Sequence, residues 1–318
     1  MLYLVLYFQR LLITLNFNFM KNTLSILLVL FISVSIFSCT DVIDLEVKEG
    51  VSQLSVDALI NNKNETQVVK LTLTQGYFDN SAIKPALGAT VILFDQDSTA
   101  HQFVDLKNDG NYTFDAKSKP FNKIGNQYLL YINYESEEYY SVSKLNRVPK
   151  IDSIAYEIDK IPVKPDNGPQ EGFRPQFYAN DIVGEGDCYW VKFSKNNKYF
   201  SKASDITVAY DAGFSPGSKT DGLLFILPIR TVRQELYSDK DTMKVDLFSI
   251  TQEQFYYLQF IQQVSQDGSL FSTPLSNIPT NIININDKST KKAVGFFGMS
   301  AVSSLSSIID KNKAKPKS

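Results

Sequence analysis

Few side chains in this chain are able to do chemistry. A single histidine, His101, and two cysteines, Cys39 and Cys188, stand in 318 residues. That inventory leaves out His/Cys zinc sites and any disulfide framework, and it leaves His101 as the only imidazole a cysteine nucleophile could use. His101 lies in a strand-like run with no second histidine and no serine elbow to accompany it, so it reads as a structural or surface histidine. Cys188, beside Tyr189 and Trp190 in an apolar run, reads as a small buried hydrophobe rather than a nucleophile. Asp95, Asp97, Asp105 and Asp109 could gather oxygen ligands for calcium, but the glycine and glutamate spacing of a calcium loop is absent and turn acids are the simpler account. Asp181, Glu185, Asp205 and Asp211 could supply the carboxylate pair of a glycosidase, chemistry that needs no histidine. The expectation is therefore of no catalytic residue, no metal and no cofactor.

The remaining candidate is Cys39, and its context is a targeting region. No acidic residue precedes it, and the only charges before it are Arg10 and Lys21. From Met20 the chain reads as a signal peptide over residues 20–38: Lys21 is the positive n-region, Leu24 to Phe37 the apolar h-region, and Ser38 the small residue before the cysteine. A spanning helix needs roughly 20 apolar residues and signal h-regions run about 7 to 15, which favours cleavage over a permanent anchor. Ile36-Phe37-Ser38-Cys39 resembles a bacterial lipobox of the looser kind, in which the thiol is acylated; the alternative is a signal-anchor helix. Met20 is the expected start, with residues 1–19 a non-translated upstream extension. One acyl chain binds membranes marginally, so the several chains of a bacterial lipoprotein, palmitate among them, would give durable anchoring.

These residues must be positioned by a folded chain of ordinary globular composition, 43% hydrophobic and 21% charged. With 32 basic against 34 acidic side chains there is no positive field for phosphate contacts, so nucleic acid is excluded as a partner. After a polar tether, residues 39–50, period-two alternation predicts strands at Leu54–Ile60, Gln67–Thr74, Thr90–Phe94, His101–Leu106, Asn111–Phe114, Gln127–Tyr134 and Glu138–Lys144. They predict an antiparallel β-sandwich over 51–148, with Asn108-Asp109-Gly110 turning a hairpin between the fourth and fifth strands. Val148-Pro149 breaks the pattern and suggests a boundary to a second β-rich domain, 149–310. Pro162, Pro165, Pro169 and Pro175 mark residues 160–176 as a long loop, either a partner-binding segment or a solvated connection. Further strands are expected at Ile151–Ile158, Tyr189–Phe193, Asp205–Tyr210, Leu223–Ile229, Met243–Phe248, Asn281–Ile285 and Val294–Met299. Thr251 as cap, Gln254 three residues on, and Phe255, Leu258 and Ile261 at helical spacing predict one helix near 252–266. Residues 300–309 are ambiguous, and 311–318 reads as a mobile basic tail.

The order of Cys39 with Asp41-Val42-Ile43-Asp44-Leu45, Gly88-Ala89-Thr90-Val91, Gly110-Asn111-Tyr112, Gly125 with Tyr128, Val148-Pro149 with Ile151-Asp152-Ser153-Ile154, and Gly295-Phe296-Phe297 resembles the Bacteroidetes lipoproteins catalogued as domain of unknown function 4249. Each motif is weak alone and their order carries the resemblance. Residues 88–132 are also similar to transthyretin-like and carboxypeptidase-regulatory-like sandwiches, in keeping with the Ig/transthyretin-like sandwich expected for 51–148. The resemblance implies an envelope lipoprotein, often encoded near TonB-dependent receptors, with no assigned catalytic residues. The expected function is thus that of a non-enzymatic lipoprotein of the outer membrane, held through its lipid and serving as accessory or binding partner of a TonB-dependent receptor. The alternative is a glycan-binding or glycan-hydrolysing lipoprotein that uses paired carboxylates and its 17 Tyr and 22 Phe.

Overall fold

Period-two alternation becomes strands almost everywhere it occurs. The computed structural model describes residues 51–316 apart from 77–78, 118, 164, 166–167, 212, 214–221 and 267–277. The upstream extension, the signal segment, Cys39 and the tether lie outside the described residues. In chain order the first strands are β1 (Leu54–Asn61), β2 (Thr66–Leu73), β3 (Thr90–Phe94), β4 (Ala100–Phe103), β5 (Asn111–Asp115), β6 (Gln127–Tyr134) and β7 (Glu137–Lys144). There follow β8 (Ser153–Lys160), β9 (Glu171–Tyr178), β10 (Cys188–Lys195), β11 (Lys198–Tyr199) and β12 (Thr207–Tyr210). The chain then forms a single helical turn α1 (Leu227–Arg230), strand β13 (Thr242–Ile250) and helix α2 (Gln252–Gln266). It closes with β14 (Ile283–Asn284), β15 (Ala293–Ser300) and β16 (Val302–Ile308).

Two sheets, in orders β15-β1-β2-β5 and β14-β7-β6-β3-β4, face each other. Leu54, Val56, Ala58 and Ile60 of β1 share one core with Val91 and Leu93 of β3 and Tyr128, Leu130 and Ile132 of β6, which is the expected antiparallel sandwich. The late strand β15 runs parallel to β1 along its whole length, Leu54 opposite Ala293 through Asn61 opposite Ser300. Phe297, Met299 and Ala301 enter the same core. Segment 149–310 therefore contributes strands to both sandwich sheets, as well as a core of its own. That second core lies against β10, β13 and β16, with β11 and β12 pairing on β10, and includes Tyr189, Val191, Phe193, Val245 and Leu247. The described residues fall in one compact unit, Glu49–Ser318.

Four expectations need correction. Asn108-Asp109-Gly110 does not close a hairpin within one sheet: β4 pairs with β3 and β5 with β2, and only Val104 and Thr113 bridge beside the turn. The turn is a corner between the two sheets, organised by the Asp105 carboxylate accepting the N–H groups of Lys107, Asp109 and Gly110. The proline-rich loop is shorter than 160–176, because Glu171–Tyr178 is strand and pairs with β8 along its length. Pro175 is tolerated there because alternate residues of β9 turn their backbone groups away from β8: Phe173 exchanges bonds with Tyr237, and the Pro175 carbonyl accepts from Val232. Leu223–Ile229 is not a strand; Leu224 makes one bridge to Asn180 and Pro228 opens the turn α1. The tail, expected to be mobile from 311, docks instead: Lys315 donates from its N–H to the Tyr156 carbonyl at 3.0 Å and accepts from Ile158 at 2.9 Å. The ambiguous segment 300–309 resolves as β16, antiparallel to β13.

Candidate functional site

His101 is in the core, edge-on to Phe114 and Phe121 at ring separations of 5.3 and 5.0 Å. Burial pushes its pKa down, against the nearby Asp95 carboxylate, so the neutral ring is favoured and packs as an aromatic. Asp95 itself accepts from the N–H groups of Asp97 and Thr99, and Asp109 from that of Asn111, so these acids act in turns. Cys188 is buried, and burial, helped by Asp211, Asp187 and Asp181, pushes its thiol up to about 12. Such a thiol is a poor nucleophile.

Of the acids proposed for a glycosidase pair, Glu185 is exposed and Asp181, Asp205 and Asp211 do not converge on one open cleft. Asp205 caps the short 3-10 turn Ala203–Asp205 by accepting from Lys202 N–H. Asp211 accepts from the N–H groups of Gly186 and Asp187, and Asp187 takes a two-pronged contact from Arg147, whose Nη2 lies 2.5 Å away. Asp181 is 5% exposed; its Oδ1 accepts from the Tyr189 hydroxyl at 2.5 Å and its Oδ2 has no hydrogen-bond partner among the described residues. Burial raises its pKa to about 6, although the bonds from the Tyr189 hydroxyl and the Ile182 N–H oppose the shift. This is a buried acidic knot that ties the loops before β10 and after β12 together.

The strongest site lies elsewhere, in a pocket of about 460 Å³ walled by β1, β10, the segment 199–206, α2 and the start of β15. Alternation along β10 puts Tyr189, Val191 and Phe193 into the second core and turns Trp190 and Lys192 to the opposite face, over which α2 lies. The helix is set by its cap, since Thr251 Oγ1 accepts from Gln254 N–H at 3.2 Å and the Thr251 carbonyl accepts from Phe255. Phe255 and Leu258 then pack on the sheet, while Tyr257 meets the Phe296 ring at 4.7 Å across the pocket wall.

Lys192 is the charged group held among the aromatic rings of this pocket. Its ammonium stands 4.7 Å from the Trp190 ring centre, 5.4 Å from Tyr199 and 5.7 Å from Phe248. Directly opposite it across the β10–β13 ladder is Asp246, the obvious counter-charge. Asp246 is fully buried and already taken: Lys63 donates at 2.8 Å and Lys244 at 2.9 Å, and the hydroxyls of Ser304 and Tyr199 donate as well. Burial pushes the Asp246 carboxyl up, but those four donors outweigh it and hold it at about 2. Lys192 is left with no hydrogen bond or ion pair among the described residues. Its burial lowers its pKa from the ordinary lysine value, with Asp57 and Asp246 opposing. Nearby, Gln254 is 4% exposed and its Oε1 also lacks a partner among the described residues.

The glycines of Gly295-Phe296-Phe297-Gly298 explain themselves here. Gly295 has φ +94°, and a Cβ on it would fall 2.0 Å from the Val56 carbonyl oxygen of β1. A Cβ at Gly298 would fall 2.4 Å from Gln254 Oε1, so that glycine makes room for the glutamine on the pocket wall. Sequence reasoning missed Lys192 and read Gln254 only as part of the helix cap. The only local signal was the Cys188-Trp190-Lys192 alternation, and nothing in it says that Asp246 would be engaged elsewhere.

A family model described as "Domain of unknown function (DUF4249)" matches residues 40–306, and this chain belongs to that family. A search of curated proteins returned no match.

Proposed function

We propose that this member of the family is a lipid-anchored envelope protein, acylated at Cys39, that serves as a non-enzymatic accessory or binding partner of an outer-membrane TonB-dependent receptor. The observation that carries the reading is the succession of Lys21, the apolar run Leu24–Phe37 and Ser38-Cys39 ahead of a β-rich unit whose first strand begins at Leu54. A short polar stretch between them suits a domain held close to a membrane surface by acyl chains. The knotted Asp181 and Asp211 and the inert Cys188 support a binding role over catalysis, since of the acids weighed for a glycosidase pair only Asp205 lines the pocket and none of the others joins it there.

The test is palmitate labelling and envelope fractionation of the wild type and Cys39→Ala, followed by affinity purification from native outer membranes. Label lost in Cys39→Ala, with unprocessed precursor accumulating and a TonB-dependent receptor co-purifying with the wild type, is the expected outcome. Label persisting in the mutant overturns the anchor, and a wild-type protein that fractionates normally but brings down no receptor overturns the partnership.

A further inference from the structure

The Lys192 pocket contains an ammonium that the fold leaves without a hydrogen bond or ion pair among the described residues. An ammonium group has three N–H donors, and the rings of Trp190, Tyr199 and Phe248 can stabilise its charge without accepting a conventional hydrogen bond. The counter-charge that register places opposite Lys192 is consumed by Lys63 and Lys244. A concave pocket with aromatic walls and one placed charge is the usual form of a small-molecule site.

The charge balance around the pocket restricts the ligand. Among the charged residues that line it, Asp57 and Asp205 balance Lys192 and Lys202, while outside the lining Lys63 and Lys244 are paired with Asp246. The lining therefore has no cationic surplus for a multiply charged anion and no arginine; Lys202 is exposed, and Lys192 is the ammonium set among the aromatic rings. A single ammonium suits a monoanion; a dianionic phosphate is ordinarily met by a guanidinium fork or several cations. Trp190, Tyr257, Leu258 and Phe296 supply flat and apolar surface for the rest of the molecule.

We infer that this pocket binds a small organic monocarboxylate with a flat or apolar body, its carboxylate on the Lys192 ammonium and its body between Trp190 and the Tyr257–Phe296 pair. The site goes beyond the anchored-partner reading and does not depend on it, because every residue involved belongs to the folded unit.

The chain carries one tryptophan, and it is in the pocket wall, so occupancy reads directly as a change in protein emission. The experiment titrates the full-length chain, kept in solution with amphipol, with 4-phenylbutyrate, 4-phenylbutanamide and 4-phenylbutyl phosphate, and repeats each titration by equilibrium dialysis. The expected result is a saturable change with the carboxylate and at least about tenfold weaker binding of the neutral amide, the scale of one lost charge-assisted hydrogen bond. Lys192→Met should weaken the carboxylate by a similar factor and leave the amide unchanged, with its thermal midpoint showing that the variant is folded. Lys202→Met should keep carboxylate affinity within about threefold, the small effect of an exposed rim charge. Equal affinity for carboxylate and amide, an unaffected Lys192→Met, tighter binding of the phosphate, or no saturable binding by either method would each overturn the assignment. Loss of binding in Lys202→Met but not in Lys192→Met would also overturn it.

Discussion

Asp181 and Asp246 are both buried carboxyls, and their surroundings push them in opposite directions. Asp246 is surrounded by donors and held at about 2, so its stabilising contribution is complete above the ordinary carboxylate pKa and disappears as pH falls towards 2. Asp181 has one oxygen without a partner and sits at about 6, so the stability it contributes is present below about 4 and lost as pH rises through 6. Asp181→Asn should therefore be nearly neutral at pH 4 and stabilising by about 2 kcal/mol at pH 8, because the amide oxygen can still accept from Tyr189 and carries no charge to desolvate. Denaturant titrations at the two pH values check this; equal effects at both would contradict the raised pKa. Asp246→Asn should do the reverse, destabilising by about 3 kcal/mol at pH 7 with the effect shrinking towards pH 2, since it strands Lys63 and Lys244 beside a neutral group. Cys188 adds a simpler check at this scale. Its raised thiol should fail to react with an aromatic disulfide reagent at pH 8 until the chain is unfolded.

At the scale of elements, the parallel pairing of β1 with β15 is the join on which both the sandwich and the pocket depend. It is possible because residue 295 is a glycine at positive φ lying against the Val56 carbonyl. Gly295→Ala should cost at least about 3 kcal/mol, since it combines backbone strain with a contact no side chain can make. The loss should appear as a lowered thermal midpoint together with exposure of the single tryptophan, because the start of β15 walls the pocket that Trp190 lines. A substitution that lowers neither the midpoint nor the burial of Trp190 would show that the close approach does not exist. The helix α2 is legible by comparison: its cap, its apolar stripe and its length follow from adjacent residues, and the structure places Thr251, Gln254, Phe255 and Leu258 where their spacing predicts.

For the whole molecule, the late return of the chain to its first sheet makes the N-terminal sandwich dependent on residues 282–301. Ile282, Ala293, Phe297, Met299 and Ala301 fill the core between the two sheets, and β15 covers one edge of β1. A fragment ending at residue 149 would leave that edge unpaired and that core open. Residues 49–149 expressed alone should lack the dispersed NMR spectrum of a folded sandwich, whereas the same fragment mixed with the remainder of the chain should recover it. A well-dispersed spectrum from the isolated fragment would show the sandwich to be self-sufficient. Among the described residues no helix is long and apolar enough to cross a membrane.

The amino-acid order by itself determined the mainly β class, nearly all the strand positions before residue 149, the capped helix and the poverty of catalytic groups. Those properties are written in neighbours two to four positions apart, through alternation, capping and composition. Pairing partners are not written that way. Pro175 reads as a loop residue until the strand beside it shows that its missing N–H faces away from the ladder. The basic end reads as solvated until Lys315 is found hydrogen-bonded alongside β8. Lys192 was invisible as a site for the same reason, because what frees it is the claim on Asp246 by Lys63, a residue 183 positions distant. Only the tertiary structure could decide that, since the competition of two lysines for one buried carboxylate exists only after strands from opposite ends of the chain have met.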